Sequence, residues 1–434
     1  VLSCPRNPVA DPYGGRPLDL DLGRDEMIVV GASLGMLHWF AEELPAGSVV
    51  LVEEPEIIAR RDVTATTARL PVVSRVVPAR YQTGLDVEEL LAREPGLATA
   101  RLVMPGLEYA VGATARLAER LGLPGAGPQA ADVFSDKHRM RLLADRAGLA
   151  NPAYELVDSP QRAAAFAARF GGRCVLKPTR RSGSLGVQLV DAGDDVAAAW
   201  SATAAPEAPV EAATGLPTEV LVEQTLVGPE YSVELLVADG EVCFANVTDK
   251  RVLPGRRPVE TGHTVPSALP AAGHAELVAA ATRLAAAAAF RTGVLHSEWI
   301  VADGVPTLVE CAARLPGDMI AALVSVAYEC GFIDAYLRTL RGERPRLPAR
   351  PSGAAAVEFL LPPPGTLTAV DGLRDARRVP GVLAVQLDVA VGDRVGEVTS
   401  SVRRGGHVLA WGADPAEAAA TARAGADRLR FTVA

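Results

Sequence analysis

Lysine is almost missing from this chain. Only Lys137, Lys177 and Lys250 are lysines among 43 basic residues; the rest are arginines. A lysine ammonium is a compact point charge on a flexible stem, whereas arginine is a wide planar fork. A chain with so few lysines is expected to keep them where arginine cannot substitute. Aromatics make up only 5% of the residues. The five cysteines, at 4, 174, 243, 311 and 330, are scattered, odd in number and without CxxC or other metal spacing. That pattern excludes a disulfide framework or zinc ribbon and suits a reducing cytosol. A net charge of −9 offers no basic footprint for nucleic acid. No apolar run reaches the ~18 residues that span a bilayer. The N-terminal segment carries prolines and charges where a signal peptide would need an apolar core. The expectation is a soluble, cytoplasmic protein that meets neither membrane nor nucleic acid.

A length of 434 residues allows two to four domains. Residues 1–24, rich in Pro, Gly and Asp, read as an extended arm. A strand at 27–31, a helix at 34–44 and a strand at 48–53 open a parallel α/β domain over 25–130. It continues through 102–104 and a helix at 113–121. Pro124-Gly125-Ala126-Gly127-Pro128 breaks it. The next region, 131–345, begins with a helix over 136–148. Strand-like runs follow at 174–177, 186–190, 219–223, 231–237 and 241–247, and an Ala/Pro/Glu/Thr-rich loop lies at 203–217. A long helix is expected over 275–290. Strands at 294–301 and 306–310 flank Asp303-Gly304. A C-terminal region, 346–434, holds short strands and a last helix at 415–429. The Ala-rich run 284–289 signals helix and little else, and there are no repeats.

Four constellations carry chemistry. Lys177 ends an apolar strand and is followed by Arg181-Ser182-Gly183-Ser184-Leu185-Gly186-Val187. This is no Walker A sequence, because a strand follows rather than GK[ST] and a helix. Its backbone N–H groups can form an anion-binding nest over a triphosphate, with Lys177 adding charge. Glu298 and Glu310 face each other if their strands form a hairpin centred on Gly304. Like charges so placed repel, and a divalent cation removes the penalty; Mg²⁺ takes one or two carboxylates plus substrate phosphates. Two solvated glutamates on an open face are the plainer alternative, against which the apolar neighbours argue. Glu223, the Leu226 backbone and Glu230 can bracket an adenosine at its amino group, ring edge and ribose. Glu260-Thr261-Gly262-His263 and Arg314, four residues beyond Glu310, form the fourth set. A fixed cation there stabilises an acyl-phosphate or the oxyanion of its aminolysis, although a lone His or Arg is more often structural.

In this order the pieces resemble the ATP-grasp ligases, over roughly 135–319. Ser135-Asp136-Lys137 is similar to that superfamily's first lysine-bearing segment. The segments Glu260-x-x-His263, His296-Ser297-Glu298 and Glu310-x-x-x-Arg314-x-x-Gly317 look most like the L-amino-acid ligases of the bacilysin-synthetase type, dipeptide synthetases of natural-product biosynthesis. The resemblance implies a three-part architecture: an N-terminal parallel α/β domain, a central two-lobed ATP-binding region with its lid lobe at about 150–225, and a C-terminal α+β lobe. It implies ATP held by Lys137, Lys177, residues 182–186, Glu223, Leu226, Glu230 and Lys250. It implies two Mg²⁺ ions, replaceable by Mn²⁺, on Glu298 and Glu310. It places the first amino acid's amino group at Glu260. His263, Arg314 and the Gly317 backbone would hold its activated carboxylate, with Asp318 lining the substrate site. Lys250, at the end of a strand over 244–248, would face the γ-phosphate.

Two departures stand out. Ala312 occupies the place where many ATP-grasp enzymes have the Asn of Glu-x-Asn, and Asp318 stands where some dipeptide ligases carry a bulky aromatic. The expected activity is ATP-dependent ligation of two amino acids through an acyl-phosphate, releasing ADP and phosphate. A homodimer is compatible with the chain. A ligase with a non-amino-acid donor or a longer peptide acceptor, or a carboxylase, is the near alternative; no biotin-type Met-Lys-Met is present. A nucleotide binder without turnover is a third reading. A serine hydrolase using Ser33 in Gly31-Ala32-Ser33-Leu34-Gly35 is remote, since too few residues precede a nucleophile elbow there.

Overall fold

The computed structural model describes residues 18, 20–31, 34–205, 218–253, 255 and 258–434. Most of the N-terminal arm, Ser33 and residues 206–217 of the expected loop lie outside them. Strands β1 (Met27–Val30), β2 (Val49–Glu53), β3 (Val73–Pro78) and β4 (Leu102–Pro105) form one parallel sheet in the order β3-β2-β1-β4. The apolar runs of β1 and β2 are wholly buried, as strands covered on both faces by helices require. The short strand β3 carries Ser74 and Arg75 within its run, so no unbroken apolar signal marks it.

The region expected to be the lid lobe forms a four-stranded antiparallel sheet of β5 (Tyr154–Val157), β6 (Cys174–Pro178), β7 (Gln188–Val190) and β8 (Val220–Glu223), ordered β5-β8-β6-β7. Val157, Phe166, Leu176 and Val222 lie in its core. Strands β9 (Glu230–Ala238), β10 (Glu241–Val252), β11 (Glu260–Val265), β12 (Gly293–Ala302) and β13 (Val305–Ala312) follow. They share an eight-stranded sheet, β13-β12-β9-β10-β11-β14-β18-β16, with the C-terminal strands β14 (Ala354–Phe359), β16 (Val382–Leu387) and β18 (Gly406–Gly412). Strands β15 (Gly365–Asp371), β17 (Arg394–Val395) and β19 (Arg430–Val433) form a small separate sheet. The long helix runs over Ala271–Ala287, starting earlier than its sequence pattern suggests, because Pro270 is its N-cap and the residues after it accept helical geometry. The β11–β14 pairing joins strands from both sides of residue 346 into one sheet. The C-terminal strands thereby lie beside the central ones. Among the described residues no single helix is long and apolar enough to cross a membrane.

The connection from the lid lobe to the central sheet is tight. A Cβ on Gly228 would lie 2.2 Å from the Val301 carbonyl oxygen and 2.9 Å from its carbon. Val301 N in turn donates to the Pro229 oxygen at 3.0 Å. Backbone on both sides leaves nothing soft to move. Gly228→Ala is expected to cost about 1–3 kcal/mol, the range for overpacking, and to lower the thermal unfolding midpoint. An unchanged midpoint would contradict the close approach.

Candidate active site

All three lysines are buried in one region, with Lys137 8%, Lys177 5% and Lys250 7% exposed. Lys137 opens the helix Lys137–Arg146, whose N-cap Asp136 accepts from the His138 and Arg139 amides. Its Nζ donates to the Arg181 carbonyl and lies 3.4 Å from Glu310 Oε1. Lys177, on β6, is 2.7 Å from Glu223 Oε2. Lys250 is 2.7 Å from Glu230, 2.8 Å from Glu298 and 3.6 Å from Glu260. It does not end its strand: β10 runs on to Val252, and Lys250 pairs across to Glu230 on one side and His263 on the other. The ladder through residues 249–252 extends the strand beyond the apolar run that marks it in the sequence.

Charge is unevenly shared here. Burial, with help from the Arg141 and Lys137 charges, pushes the Lys177 ammonium below the usual lysine range despite Glu223. Lys177 shares the Glu223 carboxylate with Arg141, so two cations meet one carboxylate here. Burial also disfavours a charged Lys250, but Glu230, Glu298 and Glu260 together drive it well above the lysine range. One ammonium cannot neutralise three carboxylates: burial raises Glu230, whereas Lys250 and His296 outweigh burial at Glu298 and hold it well below the usual range.

Glu298 and Glu310 do face each other, but not through a turn centred on Gly304. The turn is two residues, Asp303 (φ 49°) and Gly304 (φ 80°), both left-handed as a type I′ hairpin turn requires. Ala302 pairs with Val305, and that register would set Glu298 against Val309. A β-bulge between Glu298 and Trp299 shifts the ladder by one residue and brings Glu310 opposite instead. The expected pair is present because a bulge compensates for the turn.

Beneath Glu298 lies a polar core that no sequence motif marks. Glu234, fully buried, accepts from Ser232 Oγ at 2.6 Å, Asn246 Nδ2 at 2.8 Å and Thr248 Oγ1 at 2.7 Å. His296 bridges Glu234 (3.0 Å from Nδ1) and Glu298 (3.3 Å from Nε2). Burial opposes a charged imidazole, but hydrogen bonds to the two carboxylates overcome it and raise His296 to about 9.

The residues expected on the substrate side also meet. Glu260 accepts from Ser401 Oγ at 2.9 Å. Asp318 is forked by Arg404, whose guanidinium also stacks 3.6 Å above the Phe359 ring. His263 Nε2 is 3.5 Å from Asp318. Burial works against the Asp318 carboxylate, yet His263 and Arg404 keep it well below the usual range. Asp318 and Met319 both hold left-handed φ, 54° and 65°, just after Gly317. A cavity of about 630 Å³ opens beside them, lined by Phe359, Arg394, Arg403, Arg404 and His407. Arg314 is not free to meet a substrate in this structure: its Nε donates to Glu108 of the N-terminal domain at 2.6 Å.

The loop between β6 and β7 has left-handed Gly183 (66°), Ser184 (59°) and Gly186 (74°). Gly186 must be glycine twice over, since a Cβ would also sit 2.7 Å from Arg181 Nη1 and 2.9 Å from Pro178 Cγ. Ser184 Oγ donates to the Pro258 carbonyl at 2.9 Å, and Ser182 and Leu185 complete the loop. Leu226 is half-buried in the segment joining β8 to β9. Glu223 is engaged at both oxygens by Arg141, at 2.7 and 3.0 Å, besides Lys177. Burial would raise its carboxyl, but Arg141 and Lys177 bring it down to about 2. Its charge is spent on these two cations.

Arg141, Glu108, Glu234, Ser401 and Arg404 are the site residues sequence reading missed. Only Arg141 left a trace, as an arginine four residues past Lys137 on the same helix. Among the described residues no cluster of three or more His, Cys, Asp or Glu side chains is arranged for a metal. Two opposed carboxylates fit Mg²⁺ that draws its other ligands from phosphates and water; Ala312, a methyl, supplies none.

These features, a four-stranded antiparallel sheet and a central antiparallel sheet meeting at buried lysines and paired carboxylates, define an ATP-grasp fold. Residues 171–322 match the ATP-grasp domain family and residues 358–434 match the L-amino acid ligase C-terminal domain 2. The chain therefore contains an ATP-grasp domain and an L-amino acid ligase C-terminal domain. Enzymes of this fold use ATP and Mg²⁺. The chain is 31% identical over 254 residues to carnosine synthase 1 of Gallus gallus, covering 55% of this chain and 27% of that one. It is 27% identical over 248 residues to alanine–anticapsin ligase of Bacillus subtilis, covering 54% and 52%. The match thus spans about a quarter and about half of these relatives' lengths. The fold is that of an L-amino acid ligase from Bacillus licheniformis, with a TM-score of 0.74, 20% identity and coverage of 96% and 100%.

The His296 value sets a pH dependence. Its folded pKa, about 9, lies above the ordinary 6.5, so its stabilisation is complete below the lower value and is lost as pH rises through the higher. The full effect is on the order of 3 kcal/mol. The difference in thermal midpoint between wild type and His296→Gln should shrink across that window. A difference that does not change with pH would contradict a protonated His296.

Proposed function

We propose that this protein joins the carboxylate of one amino acid to the amine of another. A carboxylate oxygen attacks the γ-phosphorus of ATP and ADP leaves. The amine then attacks the acyl carbon, phosphate departs with the carbon–oxygen bond electrons, and the amine proton is lost. One observation carries this reading. A continuous set of contacts runs from Glu298 through Lys250 to Glu260 and on to Ser401, within 3.6 Å at every step. The phosphate-handling and amino-group-handling ends of the site are therefore one structure.

The positions of the residues support a role for each. Lys137 and Lys177 would meet the phosphates, with the 182–186 loop closing over them to exclude water. Glu298 and Glu310 would hold two Mg²⁺ ions, which when bound neutralise phosphate charge. Glu260 would receive the ammonium group of the first amino acid, beside Lys250. Arg314 would exchange Glu108 for the developing oxyanion, and His263 and the Gly317 backbone would border the same carboxylate. Asp318 and Arg404 present a polar, charged wall to the first side chain.

Phosphate release with ATP and Mg²⁺ across amino-acid pairs, with products checked by mass, tests the reading. A pair-dependent signal and a mass equal to both amino acids less water support it. ATP binding with silence across every pair would contradict it and favour a non-amino-acid donor or a peptide acceptor. Glu310→Gln should lower turnover at least ~100-fold, as loss of transition-state charge stabilisation does, with an unchanged circular dichroism spectrum. Retained turnover would remove Glu310 from the metal site.

A further inference from the structure

Arg141 has no exposed surface, and its guanidinium is saturated. Nε donates to Glu223 Oε1 at 2.7 Å and Nη2 to Glu223 Oε2 at 3.0 Å. Nη1 donates to Asn151 Oδ1 at 3.0 Å and to the Leu308 carbonyl at 2.7 Å. Nη2 also donates to the Val309 carbonyl at 2.7 Å. An arginine has five N–H donors in a fixed fork, and here every one has a partner. Lysine could not reproduce the set, having three donors and no plane.

The partners lie on two sides of the site. Glu223 ends β8 in the lid lobe and holds Lys177. Leu308 and Val309 flank the point where β13 shifts register. Val309 is the extra residue there, and a bulged residue's carbonyl has lost its regular ladder partner. Arg141 supplies a donor to it. The neighbouring chain reinforces the grip: Leu308 N donates to the Ala150 carbonyl at 3.1 Å, and Asn151 Nδ2 donates back to the Arg141 carbonyl at 2.8 Å.

The bulge decides what faces Glu298. Without it the two-residue turn would place Val309 there, and Glu310 would point to the opposite face, as a one-residue slip always does. We propose that Arg141 is a positioning residue: by clamping Glu223 and the Leu308 and Val309 carbonyls together, it sets the register that pairs Glu298 with Glu310 and links that pair to the Lys177 phosphate grip. This deepens the ligase reading, since the pair matters as a metal site. The test below involves no amino-acid substrate, so it succeeds or fails apart from that reading.

The test is Mn²⁺ binding, followed by electron paramagnetic resonance with ADP present, in wild type, Arg141→Lys, a Val309 deletion and the two combined. Arg141→Lys should raise the Mn²⁺ Kd about 10-fold or more, as loss of outer-shell support does. The Val309 deletion removes the bulged residue while leaving Glu310 opposite Glu298. Alone it should bind Mn²⁺ within about 2-fold of wild type, and in the Arg141→Lys background it should recover most of the loss. Arg141→Lys binding Mn²⁺ as wild type does would overturn the proposal. So would a Val309 deletion that by itself weakens Mn²⁺ binding about 10-fold or more relative to wild type, an arm that stands even if the lysine variant does not fold.

Discussion

The structure depends on one deeply buried carboxylate. Glu223 is 3% exposed and is met by Arg141 on both oxygens and by Lys177 on one. Removing one partner from such a cluster leaves an uncompensated charge at a cost of about 3–5 kcal/mol. The three groups come from different elements: the helix Lys137–Arg146, strand β6 and the end of strand β8. Arg141 also donates to the Leu308 and Val309 carbonyls of β13, so the cluster ties the β5–β8 sheet to the central one. It also leaves Lys177 sharing its carboxylate with Arg141.

The same logic is repeated across the site. Lys250 sits among three carboxylates and His296 between two. Arg404 forks Asp318, and Arg314 pairs with Glu108. Each cation reaches between elements or domains, and each carboxylate tied in this way has lost most of its freedom to reorient. Preorganised charge of this kind is what phosphoryl and acyl transfer require. The C-terminal domain contributes Ser401 and Arg404 directly, so it forms part of the site rather than an appendage.

How much could be seen in the sequence varied with the kind of signal. Lys177 and its glycine loop were legible because local chemistry and local structure coincide there. The rarity of lysine pointed to Lys137 and Lys250 as well, and all three prove buried against carboxylates. The Glu298–Glu310 pairing was anticipated through a turn the chain does not have. The β-bulge has its carbonyl partner elsewhere in the fold, in Arg141, and no local pattern encodes it. Strand β3 was missed because its apolar run is interrupted, and the full length of β10 because tertiary pairing extends it. Glu108, Glu234 and Arg404 were invisible for one reason: each is linked to an expected site residue by a contact more than 60 positions long, to Arg314, His296 and Asp318 respectively.

Hydrogen exchange in Glu223→Gln tests the central role of that buried carboxylate most directly. Amides in β8 and in the β12–β13 hairpin should both exchange faster than in wild type, although the hairpin contains no part of Glu223, because Arg141 transmits the change. Faster exchange confined to β8, with the hairpin protected as before, would contradict the account.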